Sequence, residues 1–176
     1  MDFPDEIFYN DVNSKHGMDK MLYCDRYDSP LGPLWFTGRD GVLTGLSFAP
    51  PSGEIPEGSF DAVRHWLDDY FQGISRETGF PLAPSGTPFQ NLIWRLLLDI
   101  PYGETRTYGE IASQAAELLG REKMSAQAVG QAAGRNPIAI VIPCHRVVGA
   151  GGKLTGYASG VERKQWLLAH EQDRRQ

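Results

Sequence analysis

The sequence predicts an α+β fold in two parts, a small antiparallel-sheet domain followed by a helical domain. Short runs of alternating apolar and polar residues, separated by turn residues, extend from Met21 to about residue 48. After residue 88, apolar residues recur instead at helical spacing. The stretch 81–88 between them is rich in Pro and Gly and is typical of a linker. Domains are therefore expected over 21–80 and 89–176, with a loosely ordered arm at 1–20.

The first half is expected to form three antiparallel strands near residues 21–27, 33–37 and 42–48. Asp40-Gly41 separates the second strand from the third, and this residue pair is a strong hairpin signal. Apolar residues at helical spacing follow at Phe60, Val63, Trp66, Tyr70 and Phe71. The small sheet is therefore predicted to be backed by one helix.

The second half begins with two predicted helices. The apolar face of the first consists of Phe89, Leu92, Ile93, Leu96 and Leu97. Pro101-Tyr102-Gly103 ends this helix, and the next begins at Thr107. Glu110 lies three residues after Thr107, which is the signature of a capping box.

A third helix, from Ser125 to Ala133, is rich in small residues and is stopped by Gly134 and Asn136-Pro137. It fits the second helix of a helix-turn-helix, which must be slim to enter a DNA groove. Alanine-rich helices also pack tightly against neighbours, so this pattern alone leaves both interpretations open. The β-branched run 138–142 is expected to be extended, and residues 161–171 close the domain as an amphipathic helix.

Composition excludes several classes of protein. The chain has 176 residues, of which 41% are hydrophobic, so it can form a packed core and is neither disordered nor collagen-like. Two cysteines exclude a disulfide scaffold. No apolar run reaches the roughly 18 residues of a membrane helix, and the acidic N-terminus lacks the features of a secretory signal. A cytoplasmic location with reduced thiols and no membrane association is expected.

The charge is distributed unevenly. The net charge of −5 argues mildly against a nucleic-acid partner, because phosphate binding is largely electrostatic. Residues 1–87, however, carry 6 Lys and Arg against 14 Asp and Glu, and residues 88–176 carry 11 against 8. The second half, at net +3, is thus the part that could face an anion.

The candidate chemistry is concentrated around Cys144, which follows an apolar run and Pro143. An intracellular cysteine is commonly a small buried hydrophobe. It becomes a nucleophile when its thiolate is stabilised, and His145, Arg146 and helix N-termini are the available sources of positive charge. Adjacent residues of an extended chain point to opposite sides, so a proton would pass from Cys144 to His145 through a bridging water.

The closing helix offers Glu171 as the group that orients His145, although a solvated charge near a helix end is the simpler interpretation of Glu171. A zinc site is not predicted, because Cys144-His145 has no second ligand pair at usable spacing and Cys24, His16 and His65 are scattered. The sequence gives no indication of a cofactor.

The motif Pro143-Cys144-His145-Arg146-Val147 resembles the O6-alkylguanine-DNA alkyltransferase family. The resemblance covers essentially all of residues 87–171, whereas the first half agrees only in outline. Its other motifs are Thr87-Pro88-Phe89-Gln90, Ile100-Pro101-Tyr102-Gly103-Glu104, Thr107-Tyr108-Gly109-Glu110-Ile111-Ala112, Asn136-Pro137, Gly156-Tyr157 and Lys164-Gln165-Trp166-Leu167-Leu168 with Glu171.

This resemblance implies a protein that binds duplex DNA bearing O6-alkylguanine through a helix-turn-helix, flips the base and moves the alkyl group onto its own cysteine, once per molecule. Cys144 would be the acceptor, activated through a water by His145, which Glu171 orients. Asn136 would brace the active-site turn, and Tyr108 would help rotate the nucleotide and donate to the guanine. The backbone carbonyls of Cys144 and Val147 would accept from the guanine amino group, and Tyr157 and Ser159 would line the alkyl pocket.

The same resemblance implies that DNA is contacted around the two helices of the motif, at Gly109, Ser125, Gln127, Ala128, Gly130 and Arg135. The family commonly carries an arginine at the position of Gln127, and many members carry glycine at position 159. The segment between Tyr108 and the second helix is about five residues longer than in the shorter members. O4-alkylthymine is a possible second substrate. No protein partner is expected, and the protein is predicted to be a monomer.

Three other functions are compatible with parts of the sequence. A non-transferring relative would bind alkylated bases, but such proteins carry tryptophan in place of the motif cysteine. A helix-turn-helix regulator would show sequence-specific binding without thiol chemistry. A papain-like hydrolase would need a distant histidine, and His16 and His65 are poorly placed for it.

Overall fold

The computed structural model describes residues 21–75 and 77–173. The chain divides into two compact units between Ser85 and Gly86, and each is described separately below. The expected arm at 1–20 lies outside the described residues, as do the last three residues of the predicted domain 89–176.

The first unit contains a three-stranded antiparallel sheet in the order β1-β2-β3. Its strands are β1 (Tyr23–Ser29), β2 (Gly32–Arg39) and β3 (Val42–Ser47). The predicted hairpin between β2 and β3 is present, and Asp40 and Gly41 both have positive φ, at 51° and 77°. A two-residue turn of this kind matches the twist of the strands it joins, which explains the Asp-Gly sequence.

Helix α1 (Asp61–Phe71) packs against this sheet, as predicted. The Tyr27 hydroxyl of β1 donates to Asp68 Oδ1 at 2.8 Å, and the Tyr27 ring stacks on Phe71. Phe36 on β2 is fully buried and meets the edge of Phe60. These contacts form the core of the first unit between the sheet and α1.

The first residues of the predicted linker 81–88 pair with β3. Leu43 in β3 donates its N–H to Pro81 O, and its carbonyl accepts from Ala83 N, at 3.0 and 2.8 Å. Leu82 is completely buried by this pairing. Because this segment pairs with the open edge of β3, the first unit extends at least as far as Ala83.

The second unit contains four helices and a two-stranded parallel pairing. The helices are α2 (Pro88–Leu98), α3 (Tyr108–Leu118), α4 (Ala126–Gly134) and α5 (Val161–Gln172), and the strands are β4 (Arg106–Thr107) and β5 (Val147–Val148). Capping boxes begin α2 at Thr87 and α3 at Thr107, the second as predicted. In the described part of the chain, no helix is long and apolar enough to cross a membrane.

Helices α3 and α4 form the predicted helix-turn-helix and pack through small residues. Their buried residues are Ile111, Ala112, Ala115, Ala116, Val129, Ala132 and Ala133. Trp94 of α2 is buried and donates its indole N–H to Ala132 O at 2.9 Å, which ties α2 to α4. One face of α4 therefore packs closely against its neighbours, and the other is exposed.

The prediction of an extended run at 138–142 is wrong. Val141 N–H donates to Ala139 O and Ile142 N–H to Ile138 O, so the chain makes successive turns. Asn136 braces them, because its Oδ1 accepts from Ile138 N and its Nδ2 donates to Ile142 O at 2.7 Å. The side chain of Asn136 supplies hydrogen bonds that a neighbouring strand would otherwise provide.

Candidate active site

Cys144 begins a single 3₁₀ turn, Cys144–Arg146, directly after the turns braced by Asn136. Its side chain is buried, and its Sγ accepts from Asn136 Nδ2 at 3.2 Å. Burial raises the pKa of the Cys144 thiol, and the Asn136 hydrogen bond and the Lys164 ammonium only partly oppose this. The resting sulfur is therefore a thiol and needs a base before it can act as a nucleophile.

His145 lies beside that thiol in sequence and is completely buried with Glu171. His145 Nε2 and Glu171 Oε1 are 2.7 Å apart, as expected from the proposed orienting role of Glu171. Burial lowers the pKa of His145 more than the Glu171 carboxylate raises it, so the ring is neutral near pH 7. A carboxylate only accepts, so Nε2 carries the proton and Nδ1 has the free lone pair.

Glu171 is held by more than His145. Arg146 donates to both of its oxygens, through Nε at 2.9 Å and Nη2 at 3.0 Å, and Gly103 N–H donates to Oε2 at 2.9 Å. Burial alone would raise the pKa of Glu171, but the hydrogen bonds and charges of His145 and Arg146 outweigh it and lower the pKa. Glu171 is thus a buried carboxylate rather than a solvated charge.

Arg146 does not have the role that the sequence suggested for it. Besides Glu171, its guanidinium donates to Ile100 O at 2.6 Å, so it is bonded to the segment that follows α2 and to α5. The positive charge that acts on Cys144 comes instead from Lys164. Arg146 therefore fixes the carboxylate, and through it the histidine ring.

Lys164 is the functional side chain that the sequence reasoning missed. It is completely buried, and its Nζ donates to Val147 O at 2.5 Å, to Thr155 O at 3.1 Å and to the Tyr108 hydroxyl at 3.4 Å. Burial lowers the pKa of Lys164, and the neighbouring Cys144 raises it in part. The signal that could have found it is its place on α5, one turn before Leu167 and Leu168 on the buried face.

Two tyrosines complete the surroundings of Cys144. Tyr108 is the first residue of α3, and its hydroxyl donates to Thr155 O at 3.3 Å. Tyr157 lies close enough to interact with Cys144, and its hydroxyl oxygen is buried. Burial raises the pKa of both phenols, and the neighbouring Cys144 raises it further by a smaller amount. Both hydroxyls therefore remain protonated.

Asn136 and Tyr157 thus interact with Cys144, and Lys164 links the Val147 carbonyl to the Tyr108 hydroxyl. His145, the next residue after Cys144, pairs with Glu171. These residues together are called the buried network. Ser159 is half-exposed two residues after Tyr157, and its carbonyl accepts from Arg163 Nη1 at 2.7 Å. Residues 21–75 and 77–173 contain no group of three or more His, Cys, Asp and Glu side chains that could hold a metal ion.

The residues expected to contact DNA lie on α3 and α4. Ser125 caps α4 by accepting from Gln127 N at 3.1 Å, and the Gln127 side chain is exposed. Gly130 faces Tyr108, since a methyl group on its Cα would lie 3.7 Å from the Tyr108 ring. Ala128 is half-exposed, whereas Gly109 on α3 and Arg135 after α4 are exposed. Of these residues, Gly109 follows Tyr108 in α3 and Gly130 lies against the Tyr108 ring.

Comparison with known families identifies both units. Residues 22–84 match the model of the 6-O-methylguanine DNA methyltransferase ribonuclease-like domain, and residues 88–173 match that of the DNA binding domain of the same family. The chain belongs to the 6-O-methylguanine DNA methyltransferase family. Among curated members of the family, the methylated-DNA–protein-cysteine methyltransferase of Mycobacterium leprae is 48% identical over 158 residues, which cover 86% of this chain and 93% of that protein.

Solved structures of the family agree with the fold. The crystal structure of Mycobacterium tuberculosis O6-methylguanine methyltransferase has a TM-score of 0.78 at 45% identity, with 89% of this chain and 96% of that chain covered. The Mycobacterium tuberculosis OGT in complex with DNA also has a TM-score of 0.78, at 46% identity, with 86% and 94% covered. The α+β fold predicted from the sequence is confirmed, and so is the family resemblance.

The buried His145–Glu171 pair predicts a loss of stability in acid. The folded pKa of His145 lies below its unfolded value, so as the pH falls below about 6.5 the unfolded chain takes up a proton that the folded protein does not. The folded pKa of Glu171 is also lowered, so a further loss begins below about pH 4.3. Urea unfolding between about pH 5 and 7.5 is expected to show a falling free energy of unfolding with falling pH.

Two variants separate this effect from general acid sensitivity. His145→Gln is expected to flatten the dependence between about pH 5 and 6.5, whereas His65→Gln, which changes an exposed histidine, leaves it unchanged. Equal slopes in the two variants would show that His145 does not titrate as this environment requires.

Proposed function

We propose that this protein repairs duplex DNA by moving the alkyl group from O6 of an alkylated guanine to the sulfur of Cys144, once per molecule. The observation that carries the proposal is a buried group of three residues: a carboxylate held by Arg146, a neutral histidine whose Nε2 meets that carboxylate, and a cysteine that directly precedes the histidine in the chain. This is the arrangement of nucleophile, base and orienting group that activates a weak nucleophile.

The first step is deprotonation of the thiol. His145 Nδ1 forms no hydrogen bond with any described residue, so its lone pair is available as a base. The proton passes from Cys144 Sγ through a bridging water to Nδ1, and the imidazolium that forms faces the Glu171 carboxylate across Nε2. The Asn136 amide and the Lys164 ammonium stabilise the thiolate left behind.

The second step is an in-line displacement at the alkyl carbon. The thiolate electron pair forms the S–C bond while the C–O6 bond breaks, and its electrons pass to the guanine ring. The Tyr108 phenol is protonated near pH 7, and its O–H turns from Thr155 O to the guanine as this charge develops. The guanine takes up a proton at N1, relayed through the Tyr108 hydroxyl, and this uptake balances the proton that His145 received from the thiol. The products are unmodified guanine and a thioether on Cys144. A thioether has no good leaving group, so the protein is not regenerated.

The guanine is oriented by the backbone on either side of the nucleophile. Its amino group donates to the carbonyls of Cys144 and Val147, each of which already accepts one hydrogen bond, from Val147 N and Lys164 Nζ respectively. A carbonyl oxygen has two lone pairs and accepts a second donor. Lys164 thus positions one of the two acceptors while its charge acts on Cys144.

A guanine stacked in a duplex cannot reach a buried thiol, so the base must be flipped. Helix α4 enters the groove with its exposed face, and Gln127 fills the gap in the stack, a role for which the family commonly carries an arginine. The DNA backbone around it is contacted by Gly109, Ser125, Ala128, Gly130 and Arg135.

O4-alkylthymine could enter the same pocket. The acceptor is a protein side chain, so the reaction requires no cofactor, and the free thiols of Cys24 and Cys144 suit the reducing cytoplasm.

The stoichiometry of repair tests this proposal. A duplex containing one O6-methylguanine is titrated with the protein, and the remaining lesions are counted after complete reaction. The proposal predicts that one lesion disappears per protein molecule, whatever the excess of DNA. Repeated turnover would contradict the single-use mechanism. Retardation of the duplex without any loss of lesion would favour a non-catalytic DNA-binding protein.

Tyr108→Phe is expected to slow transfer by roughly 10²-fold, because it removes a donor aimed at developing charge, while DNA affinity changes little. Single-turnover rates at saturating DNA measure the effect, and binding is measured on an unmodified duplex. Tyr23→Phe, in the first unit, removes a hydroxyl outside the network and serves as control. An equal loss of rate and affinity would show that Tyr108 supports the fold rather than the reaction.

Ser159 adds bulk beside the proposed alkyl pocket, so O6-benzylguanine is expected to react more slowly than O6-methylguanine. Ser159→Gly is expected to raise the benzyl rate and leave the methyl rate unchanged, whereas the exposed Ser52→Gly changes neither. Comparable benzyl and methyl rates in the natural protein, unchanged by Ser159→Gly, would exclude Ser159 as a determinant of substrate size.

A further inference from the structure

Helix α4 carries no positive charge for a DNA partner. Its nine residues are Ala, Gln, Val and Gly, and its exposed positions are Ala126, Gln127, Gln131 and Gly134. Neutral side chains can fill a groove, but affinity for DNA depends largely on neutralising phosphates. The cations that accompany α4 must therefore come from residues next to it.

Residues 119–125 join the two helices and form the α3–α4 turn. This turn supplies two such cations. It has seven residues, whereas the connection of a minimal helix-turn-helix has about three or four. Arg121, Glu122 and Lys123 are all exposed in it. The side chains of Arg121 and Lys123 form no ion pair or hydrogen bond with any residue in the described part of the chain.

The backbone of the α3–α4 turn is fixed at both ends. Gly120 has φ of 61°, its N–H donates to Glu117 O, and Arg121 N–H donates to Ala116 O at 2.8 Å. This pair of bonds is a Schellman motif, which ends α3 and sets the direction of the chain at Arg121. At the other end, Ser125 caps α4. The two cations are thus presented directly before the first turn of α4.

We propose that the α3–α4 turn is a second DNA-contacting element, in which Arg121 and Lys123 bind backbone phosphates beside the groove that α4 enters. In a helix-turn-helix, the start of the second helix lies closest to the bases, so the residues that precede it pass the phosphates at the groove edge. The side chains of Arg121 and Lys123 have no partner among the described residues, so a contact with phosphate breaks no interaction of theirs there. The turn supplies charge that α4 lacks and carries no base specificity.

This inference rests on the proposed function, since it takes the exposed face of α4 to be the face that meets DNA. The partner is a duplex of any sequence, damaged or not. Contacts to phosphates act equally on both, so the α3–α4 turn raises affinity for DNA without raising preference for the lesion.

Salt-dependent binding tests the inference. Affinities of Arg121→Ala, Lys123→Ala and the double variant are measured by fluorescence anisotropy between about 50 and 200 mM salt, on a duplex with one O6-methylguanine and on the same duplex unmodified. Each single change is expected to reduce the slope of log affinity against log salt by about 1, and the double change by about 2. Both duplexes are expected to lose affinity by the same factor.

Two further variants make the outcome decisive. Arg39→Ala removes an exposed cation from the first unit and is expected to leave the slope unchanged. Glu122→Gln removes the negative charge within the turn and is expected to tighten binding, a gain that misfolding cannot produce. Slopes that match Arg39→Ala, or weaker binding by Glu122→Gln, would overturn the inference. Absence of methyl transfer in the natural protein, with these slope changes still present, would instead refute the proposed reaction.

Discussion

Cys144→Ala is expected to abolish alkyl transfer and leave DNA binding intact. The thiol is the only group in the buried network that can accept an alkyl group as a stable thioether, and the methyl side chain of alanine fits within the space of the original side chain. The lost Asn136 contact leaves two other Asn136 hydrogen bonds, to Ile138 and Ile142, that brace the turn. Transfer is followed with labelled O6-methylguanine duplex, and binding by anisotropy.

The matched control is Cys24→Ala. Cys24 is the other free cysteine, lies in the first unit and donates its thiol to Ile55 O. This variant is expected to transfer at the natural rate. Residual methyl transfer by Cys144→Ala would place the acceptor elsewhere, and equal loss of DNA binding would mean that Cys144 is a structural residue.

Glu171→Gln is expected to lower the free energy of unfolding by about 3–5 kcal/mol, since it leaves the buried Arg146 guanidinium without its carboxylate. It also removes the negative charge that stabilises the imidazolium form of His145, so transfer by the folded variant is expected to slow. Urea unfolding at neutral pH measures the first effect, and single-turnover rates measure the second.

Glu162→Gln provides a comparison on the same helix. Glu162 is exposed in the first turn of α5, where loss of its charge costs at most about 1 kcal/mol. If Glu171→Gln were no more destabilising than Glu162→Gln, the carboxylate would not be the centre of the buried network.

Features with short-range causes could be predicted from the sequence. The Asp40-Gly41 hairpin follows from two residues that tolerate positive φ, and the capping box at Thr107 follows from two side chains three residues apart. The residue types around Cys144 also pointed to thiol chemistry. Each of these signals depends on residues that are neighbours in the chain.

Features that depend on distant partners could not be predicted in the same way. The run at 138–142 has β-branched residues, but it turns because the Asn136 side chain, rather than a strand, satisfies its backbone. Because Arg146 lies two residues after Cys144, it was a candidate source of positive charge for the thiolate. In the structure its guanidinium instead bonds Glu171, 25 residues away. Pairings of this kind are decided by tertiary packing.

Lys164 shows the same limitation most clearly. On a helix wheel it lies on the apolar face of α5, where a lysine usually extends its charged end to solvent. Here the ammonium is enclosed and donates to two backbone carbonyls. It thereby places a positive charge near Cys144, which no spacing within α5 could indicate.

Intact mass spectrometry with peptide mapping, after incubation with a duplex containing one O6-methylguanine, locates the transferred group. We expect a gain of one methyl group per molecule, located on the peptide that contains Cys144, and no further gain with excess DNA. Folded protein that retards the duplex but shows no change in mass, or that carries the methyl group on another residue, would contradict this expectation.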